Sequence, residues 1–417
     1  MFHSSKRPIE RRAGDKGAFR RQAMRRAFVS VRDARELARR SSPRFAFDYL
    51  DGGADDEKAL RRAESAFDEY EFYPSTCRGV DAVDTRTSFL GHRDVECVFP
   101  APTAGHALWA PRRGEVATAS ACASGNRLFC LSTLGTRSPR EIDDALGSAL
   151  DDRKLFQVYL WKDRGLMRDV LSAARDAGFT SAALTTDLTW FGNRERDLRN
   201  EFSVPPVHSL RTTLQALARP MWTYEFLTSK RIEYALLRDM KREGLLADSQ
   251  PIAEFASKQF DASFDWKDAE WFRAQWPDGQ MAMKGILRPD DARRALDCGY
   301  DAVWVTSHGA RQLESAVAPI DALPTIRAAV GDEAQVIFDG GIMRGVDVVK
   351  AIALGADAVA VGKAFLYGLA AREEMGVSAV LDVLTDEMRR AMGLLGVRDI
   401  RELRERGIDL VRRRRAS

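Results

Sequence analysis

Histidine and cysteine are both scarce in this chain, five of each among 417 residues. The cysteines (Cys77, Cys97, Cys122, Cys130, Cys298) form no CxxC or other metal spacing. Their odd number does not suit a paired disulfide scaffold and fits a reducing compartment with buried thiols. No stretch approaches the ~18 consecutive apolar residues of a spanning helix. The N-terminus lacks the apolar segment of about 7–15 residues that a secretory signal needs. An excess of one charge is missing as well: 64 Lys and Arg against 61 Asp and Glu leave +3, which gives no footing for a nucleic-acid partner.

What the chain does have is an apolar content of 45% with 30% charged residues, the balance of a soluble protein with an ample core. Residues 1–29 are strongly basic and read as a disordered arm, and 408–417, with the Arg412–Arg415 run, as a solvated basic tail. Between them, 30–407 reads as one folded unit. Helical spacing starts at Ser30, a natural N-cap for the stretch to Arg40. The segment FDYLDGGADDE (47–57) then runs through a Gly-Gly break into acidic residues suited to a helix N-terminus.

From residue 98 onward one pattern repeats. A short apolar run ends in small or polar residues and is followed by a stretch of helical period. The runs are VFPAPTA (98–104), LFCLST (128–133), LFQVYL (155–160), SAALTTD (181–187), MAMKG (281–285), AVWVTS (302–307), QVIFDGG (335–341) and AVAVGK (358–363). Helix-like segments at 114–124, 138–149, 163–177, 289–298, 320–330 and 345–354 separate them. Eight strands alternating with helices predict a TIM (β/α)8 barrel. A doubly wound open sheet is the alternative, but no GxGxxG opens the first unit.

In such a barrel the C-terminal strand ends converge on one face. They carry Pro102, Thr103 and Ala104; Ser132; Gln157 and Tyr159; Thr185 and Asp187; Lys284; Thr306, His308 and Arg311; Asp339, Gly340 and Gly341; Gly362 and Lys363. Buried strands should end in apolar or small residues unless the rim has chemistry to perform. Of the five histidines, His308 is the one placed for an imidazole base, although a strand-end histidine can also merely cap a loop. The glycines after the seventh and eighth runs, with Arg344 and Lys363, have the make-up of a phosphate cradle.

The alternation lapses after the fourth run, predicting an extended loop and helical insertion over 200–262. Segment 208–245 is amphipathic, basic and rich in aromatics, with a break expected at Pro220. Two readings stand for it: a surface lying on a membrane, or a lid packing on the barrel mouth.

Taken together, FDYLDGGADDE, APTA, LST, FQVY, LTTD with GNRERD, MKGIL, SHGARQLE, DGGIMRGVDVVKAIALGA and VGKAFLYGLAA resemble the FMN-dependent 2-hydroxy-acid oxidase and dehydrogenase family. That family includes glycolate oxidase, lactate dehydrogenases and mandelate dehydrogenase. The likeness spans Val31 to Gly407. The insertion and ASKQFDASFDWKDAEWFRAQWP most resemble the membrane-associated mandelate and lactate dehydrogenase branch.

The resemblance implies FMN across the barrel mouth. Its ring would lie against Pro102, Thr103 and Ala104, with contacts from Ser132, Gln157, Thr185, Lys284 and Thr306. Its phosphate would lie at Gly340, Gly341, Gly362 and Lys363, with Asp339 and Arg344 alongside. Arg311 and Arg194 would clamp the substrate carboxylate with help from Tyr49. Tyr159 would hydrogen-bond the substrate hydroxyl, and His308 would act as base beside Asp187, whose charge should raise the histidine's pKa. Trp109, Leu134 and Trp190 would shape the pocket. No metal is implied.

The activity implied is oxidation of an (S)-2-hydroxy acid, lactate- or mandelate-like, with electrons passed to a quinone or other acceptor. An oxidase releasing peroxide is the alternative, and a non-redox barrel binding a phosphorylated ligand the remote one. A homotetramer is implied, in the cytoplasm or peripheral on the inner face of the cell membrane, with contact through 208–245. Three positions depart from the family pattern: Thr306-Ser307 for Ser-Asn, Met343 for the phosphate-side arginine after DGG, and Gly362-Lys363 for Gly-Arg.

Overall fold

A computed structural model of the chain describes residues 28–202, 209–244, 256 and 258–414. Residues 1–27 of the basic arm, 203–208, 245–255 and 257 of the insertion, and 415–417 of the tail lie outside the described residues.

Among the described residues, three α-helices precede the barrel: α1 (Val31–Ser41), α2 (Arg44–Asp51) and α3 (Lys58–Ser65). The start of α1 is fixed by a capping box at Ser30. The Asp33 N–H donates to Ser30 Oγ at 3.2 Å, and the Ser30 N–H donates back to Asp33 Oδ2 at 3.1 Å. Its buried face is Val31, Ala34 and Ala38. The acidic residues 55–57 do precede the N-terminus of α3.

All eight apolar runs form strands: β1 (Val98–Pro100), β2 (Phe129–Ser132), β3 (Lys154–Tyr159), β4 (Ser181–Thr185), β5 (Gln280–Ile286), β6 (Ala302–Val305), β7 (Gln335–Phe338) and β8 (Ala358–Val361). They pair in parallel in the order β1-β8-β7-β6-β5-β4-β3-β2, and the end strands β1 and β2 lie against each other to close the barrel. The first three strands lead into α4 (Glu115–Ser124), α5 (Pro139–Leu146) and α6 (Arg164–Asp176). Proline occupies the first turn of α5, where its missing N–H costs no hydrogen bond.

Between β4 and β5 come α7 (Glu195–Arg199), α8 (Leu210–Leu217), α9 (Pro220–Thr228), α10 (Ala235–Arg242) and α11 (Trp266–Ala274). Pro220 marks a boundary, as its sequence position implies, because it opens α9. The last strands are followed by α12 (Pro289–Asp297), α13 (Pro319–Val330), α14 (Gly345–Ala353) and α15 (Lys363–Leu395). Arg412–Arg414, read from the sequence as solvated, are exposed; Val411–Arg413 also pairs antiparallel with Tyr70–Phe72.

Strand alternation separates two cores. Facing inward are Phe99, Cys130, Leu155, Ala183, Ala282, Ala302, Trp304, Ile337, Ala358 and Ala360. The many alanines leave room for Phe99 and Trp304, whose rings meet edge to face at 5.8 Å. A hairpin, Arg86–Phe89 with His92–Glu96, plugs the N-terminal end through Phe89, Leu90 and Val95. Outward-facing residues such as Val98, Phe156, Val303 and Phe338 join the larger core beneath the helices. Cys97, Cys122 and Cys130 are buried, and burial raises each of their thiol pKa values; Cys77 is exposed.

Helix α15 turns sharply at Arg372–Glu373 (φ −155° then 48°). Its two halves cross at Gly368 and Gly376, where a Cβ on Gly376 would come within 1.9 Å of the Gly368 carbonyl oxygen. Gly376→Ala is therefore expected to destabilise the protein by about 1–3 kcal/mol, the usual cost of overpacking. A lowered unfolding midpoint in thermal or denaturant titration checks this, and an unchanged midpoint contradicts the close crossing.

Candidate active site

The strand ends meet as one hydrogen-bonded row. The Ser132 hydroxyl donates to Gln157 Oε1 at 2.9 Å, and Gln157 Nε2 donates to Thr185 Oγ1 at 2.7 Å. Thr185 pairs in register with Lys284, and Lys284 with Trp304. The Trp304 indole N–H donates to Asp339 Oδ2 at 2.8 Å, while the Thr306 hydroxyl donates to Asp339 Oδ1. Lys284 Nζ lies 3.8 Å from Asp339 Oδ2. Ser132, Gln157, Thr185 and Thr306 are buried and are not among the residues lining the cavity at the mouth. Lys284, Asp339 and Pro102, Thr103 and Ala104 do line it.

Beyond β6 the backbone enters the left-handed region at three consecutive residues: His308 (φ 56°), Gly309 (φ 63°) and Ala310 (φ 57°). Two of these are not glycine, a conformation that persists only where its surroundings impose it. Here the His308 N–H donates to Thr306 Oγ1 at 3.0 Å, and the Ala54 N–H donates to the Ala310 carbonyl at 2.9 Å. The turn presents His308 to the cavity, with Nδ1 at 2.9 Å from Asp187 Oδ1. Asp187 can come this close because β5 carries Gly285 (φ 113°), where a Cβ would meet the Asp187 Cβ at 2.8 Å.

Electrostatics correct one expectation about this pair. Burial pushes the His308 pKa down, and Asp187, which pulls the other way, does not restore it; the histidine sits below its ordinary value. For Asp187 burial pushes upward, but the facing His308, the Lys284 charge and a main-chain N–H together hold the carboxyl below its usual range. The resting pair is thus a neutral imidazole against a carboxylate, with Nδ1–H donating and Nε2 left to accept.

Arg311 follows on the same turn. Its Nη1 donates to the Tyr49 and Gly52 carbonyls, its guanidinium lies 4.6 Å from the Tyr49 ring centre, and Nη2 is buried without a hydrogen-bond partner. Burial and the neighbouring Arg194 lower its pKa to about 10. Arg194 reaches the same place from the loop before α7, with Nη2 donating to Gln312 Oε1 at 3.1 Å. A glycine is required there: a Cβ on Gly192 would strike the Arg311 carbonyl oxygen at 2.3 Å. Two cations side by side, one with a dangling donor, make a receptor for a carboxylate.

Tyr49 and Tyr159 line the cavity, as do Trp109 and Leu134. Trp190 does not; it is 78% exposed, and the next residue, Phe191, lines the cavity in its place. Tyr234, just before α10, also reaches the wall, anchored where the Ala235 N–H donates to the Gly135 carbonyl at 2.9 Å. Nothing in the spacing around Tyr234 distinguishes it from other aromatics of the insertion.

At the opposite end the cavity is lined by Gly340, Gly341, Met343, Gly362, Lys363 and Glu64. Gly341 is obligatory, since its Cβ would sit 1.9 Å from the Ala63 carbonyl oxygen. Arg344 does not belong to this set. Its guanidinium turns outward to Glu387 (Nη2–Oε1 2.8 Å), because that carboxylate on α15 also accepts the Gly345 N–H at 2.7 Å. Lys363 Nζ donates to the Gly52 and Gly309 carbonyls at 2.9 and 3.0 Å, and burial followed by Arg311 brings its pKa down to about 7. Burial pushes Glu64 upward. Among the described residues, no group of side chains could hold a metal ion.

One continuous cavity thus runs from the paired arginines and His308, past the Pro102–Ala104 main chain and Lys284, to the glycines of β7 and β8. A flat ring with a phosphorylated tail fits this shape, and Arg311 Nη2, which makes no hydrogen bond and lies 3.6 Å from Asp197 Oδ2, is left to bond a substrate anion. The FMN-dependent dehydrogenase family matches residues 38–410. The L-lactate dehydrogenase of Caulobacter sp. (strain K31) is 39% identical over 374 residues, covering 90% of this chain and 96% of that protein. The L-lactate oxidase of Nostoc sp. (strain PCC 7120 / SAG 25.82 / UTEX 2576) is 36% identical over 377 residues, covering 90% and 96%. Among solved structures, the monotopic membrane protein (S)-mandelate dehydrogenase superposes with a TM-score of 0.84 at 32% identity, covering 93% of this chain and 99% of that one. The chain belongs to the FMN-dependent dehydrogenase family, and its activity is the oxidation of 2-hydroxy acids with FMN as cofactor.

Proposed function

We propose that the chain oxidises an (S)-2-hydroxy acid, lactate- or mandelate-like, to the 2-oxo acid, with His308 as base and Arg311 and Arg194 as carboxylate clamp. The observation that carries this is the buried Nη2 of Arg311, which makes no hydrogen bond and has the Asp197 carboxylate only at 3.6 Å, three residues from an imidazole whose other nitrogen is held by Asp187. The substrate carboxylate completes that guanidinium with charge-assisted bonds. The Tyr49 ring backs the guanidinium, and Tyr159 bonds the substrate hydroxyl. His308 Nε2 takes one proton from the substrate, and Asp187 steadies the imidazolium that results. FMN, when bound, supplies the acceptor for the electron pair. Pro102, Thr103 and Ala104 would flank its ring, and Lys284 would offset charge developing on it. The row from Ser132 through Gln157 and Thr185 keeps Lys284 and the strand ends in register behind it.

The acceptor after the flavin is a quinone reached at a membrane surface. Support comes from the outer face of α8 and α9, where Leu210, Leu214, Leu217, Met221, Tyr224 and Leu227 are exposed together, beside Arg211, Lys230 and Arg231. Such a face, apolar with basic neighbours, suits an interfacial position. Trp222 ties it to the mouth through its indole N–H, which donates to the Leu108 carbonyl at 2.8 Å. No helix among the described residues is long and apolar enough to cross a membrane. The similarity to a monotopic mandelate dehydrogenase supports the same reading. A homotetramer in the cytoplasm, resting on the inner face of the membrane, completes the proposal; light scattering of the purified protein tests the tetramer.

His308→Ala should leave flavin bound and slow its anaerobic bleaching by lactate or mandelate about 10²–10⁴-fold; unchanged bleaching removes the histidine from the reaction. Asp187→Asn takes away the group that raises the His308 pKa, so the acid limb of the reduction rate should move to lower pH while the plateau falls. A limb moving upward contradicts the pairing. Arg311→Met loses a charge-assisted interaction of about 1.5–3 kcal/mol, read as a lower kcat/KM for the acid and none for a neutral ester. Replacing Leu214 and Leu227 by Glu should abolish pelleting with anionic vesicles at low salt and leave bleaching in solution intact. Mixing the reduced protein with oxygen or a quinone analogue separates the dehydrogenase from the oxidase alternative.

A further inference from the structure

A second histidine, His106, is buried (1% exposed) and takes no part in the chemistry at His308. It stands behind the wall of the cavity that follows β1. There the chain leaves the sheet once the Ala101 N–H has donated to the Val361 carbonyl at 2.8 Å. Pro102 has no N–H to give. The next two N–H groups, on Thr103 and Ala104, donate to no group among the described residues, and both residues line the cavity. Main-chain donors away from water are normally paired, so these two are left for an occupant of the cavity.

Free donors keep their direction only if the chain around them is braced. Gly105 (φ 74°) turns the chain back, and His106 Nε2 then lies 2.8 Å from Thr103 Oγ1, closing a loop around the two N–H groups. The other ring nitrogen, Nδ1, lies 3.1 Å from Thr118 Oγ1 on α4. Burial pushes the His106 pKa down, so the ring is neutral, with one nitrogen donating and one accepting; a hydroxyl can meet either. The His106 N–H donates to Glu115 Oε1 at 3.1 Å, and the same carboxylate accepts the Thr136 N–H and hydroxyl at 2.9 and 2.6 Å. Glu115, Thr118 and Thr136 are as buried as the histidine. The brace therefore runs from the cavity wall into the core.

We propose that His106 is a positioning residue for the flavin: through the Thr103 hydroxyl it holds the Thr103 and Ala104 N–H groups toward the ring, where they favour the reduced, more negative form. Fixed donors that face developing charge act most strongly when they need not reorganise. Cutting the bond between imidazole and hydroxyl frees the loop, and the flavin becomes harder to reduce.

The inference rests on FMN occupying this cavity, and the test keeps the two apart. The midpoint potential of the bound flavin is measured on the full-length holoenzyme by equilibration with a reference dye, alongside the unfolding midpoint. Thr103→Val, close in shape, cuts the bond from the cavity side, and His106→Phe cuts it from the core side. Each is expected to move the reduced-to-oxidised ratio at a fixed potential about tenfold toward oxidised, the scale of one hydrogen bond to a charged group, or about 30 mV for a two-electron couple. The double variant should move it no further than the larger single change, because the ring acts through the hydroxyl. An unmoved potential in Thr103→Val overturns the proposal and leaves His106 a structural residue, whatever the unfolding midpoint does; this variant decides alone if His106→Phe does not fold. Shifts that add in the double variant overturn it as well. Wild type that holds no flavin contradicts the FMN reading, and this proposal with it.

Discussion

Two buried cations hold the carbonyl groups that join the N-terminal helices to the histidine turn, and the site depends on that clamp. Arg311 bonds the Tyr49 and Gly52 carbonyls, and Lys363 bonds those of Gly52 and Gly309. A left-handed backbone at a residue that is not glycine costs about 1–3 kcal/mol, and the turn contains two such residues, His308 and Ala310. A buried cation that lost its carbonyls would be costlier still. Each feature therefore fixes the other. The cations are desolvated because the loops close over them, and the loops are held closed because the cations bond their carbonyls. The imidazole is aimed by this arrangement as much as by its carboxylate partner.

Desolvation also sets the resting protonation. In water, a carboxylate beside an imidazole raises its pKa, and the sequence invites that expectation for His308. In the closed mouth the cost of burying charge falls first on the imidazolium, and the adjacent cations Lys284 and Arg194 add to it. The outcome is a base that is free to accept at neutral pH and a carboxylate whose benefit is felt when the proton arrives. A side chain kept neutral at rest and supported only when charged matches a group that must take up a proton during turnover.

Much of this was legible in the sequence because strand ends in a parallel barrel obey one rule: the residues that stop each run share a rim. That rule found Lys284, Asp187, His308, Arg311 and the paired glycines, and the strand count followed from the same alternation. It failed where a side chain's direction depends on a distant partner. Arg344 sits beside a glycine pair in sequence, yet Glu387, forty-three residues later, turns it outward. Lys363, by contrast, does line the cavity beside the glycines, with two of its three N–H groups on the Gly52 and Gly309 carbonyls. Trp190 and Phe191 differ by one place along an irregular loop, where no period says which of them faces inward. Glu64 and Tyr234 enter from helices outside the repeating unit, so the pattern that exposed the rim was silent about them.

The placement of the thiols has a consequence for an enzyme that works with reduced flavin. Three of its five cysteines are sealed in the cores with pKa values raised by burial, and none lines the catalytic cavity. Oxidants attack thiolates, not buried thiols. Peroxide formed at the mouth would leave into solvent past tyrosines, arginines and leucines before meeting a reactive sulfhydryl, the exposed one being Cys77. The thiols, unlike the Met343 thioether, thus lie away from the cavity in which the flavin is reduced.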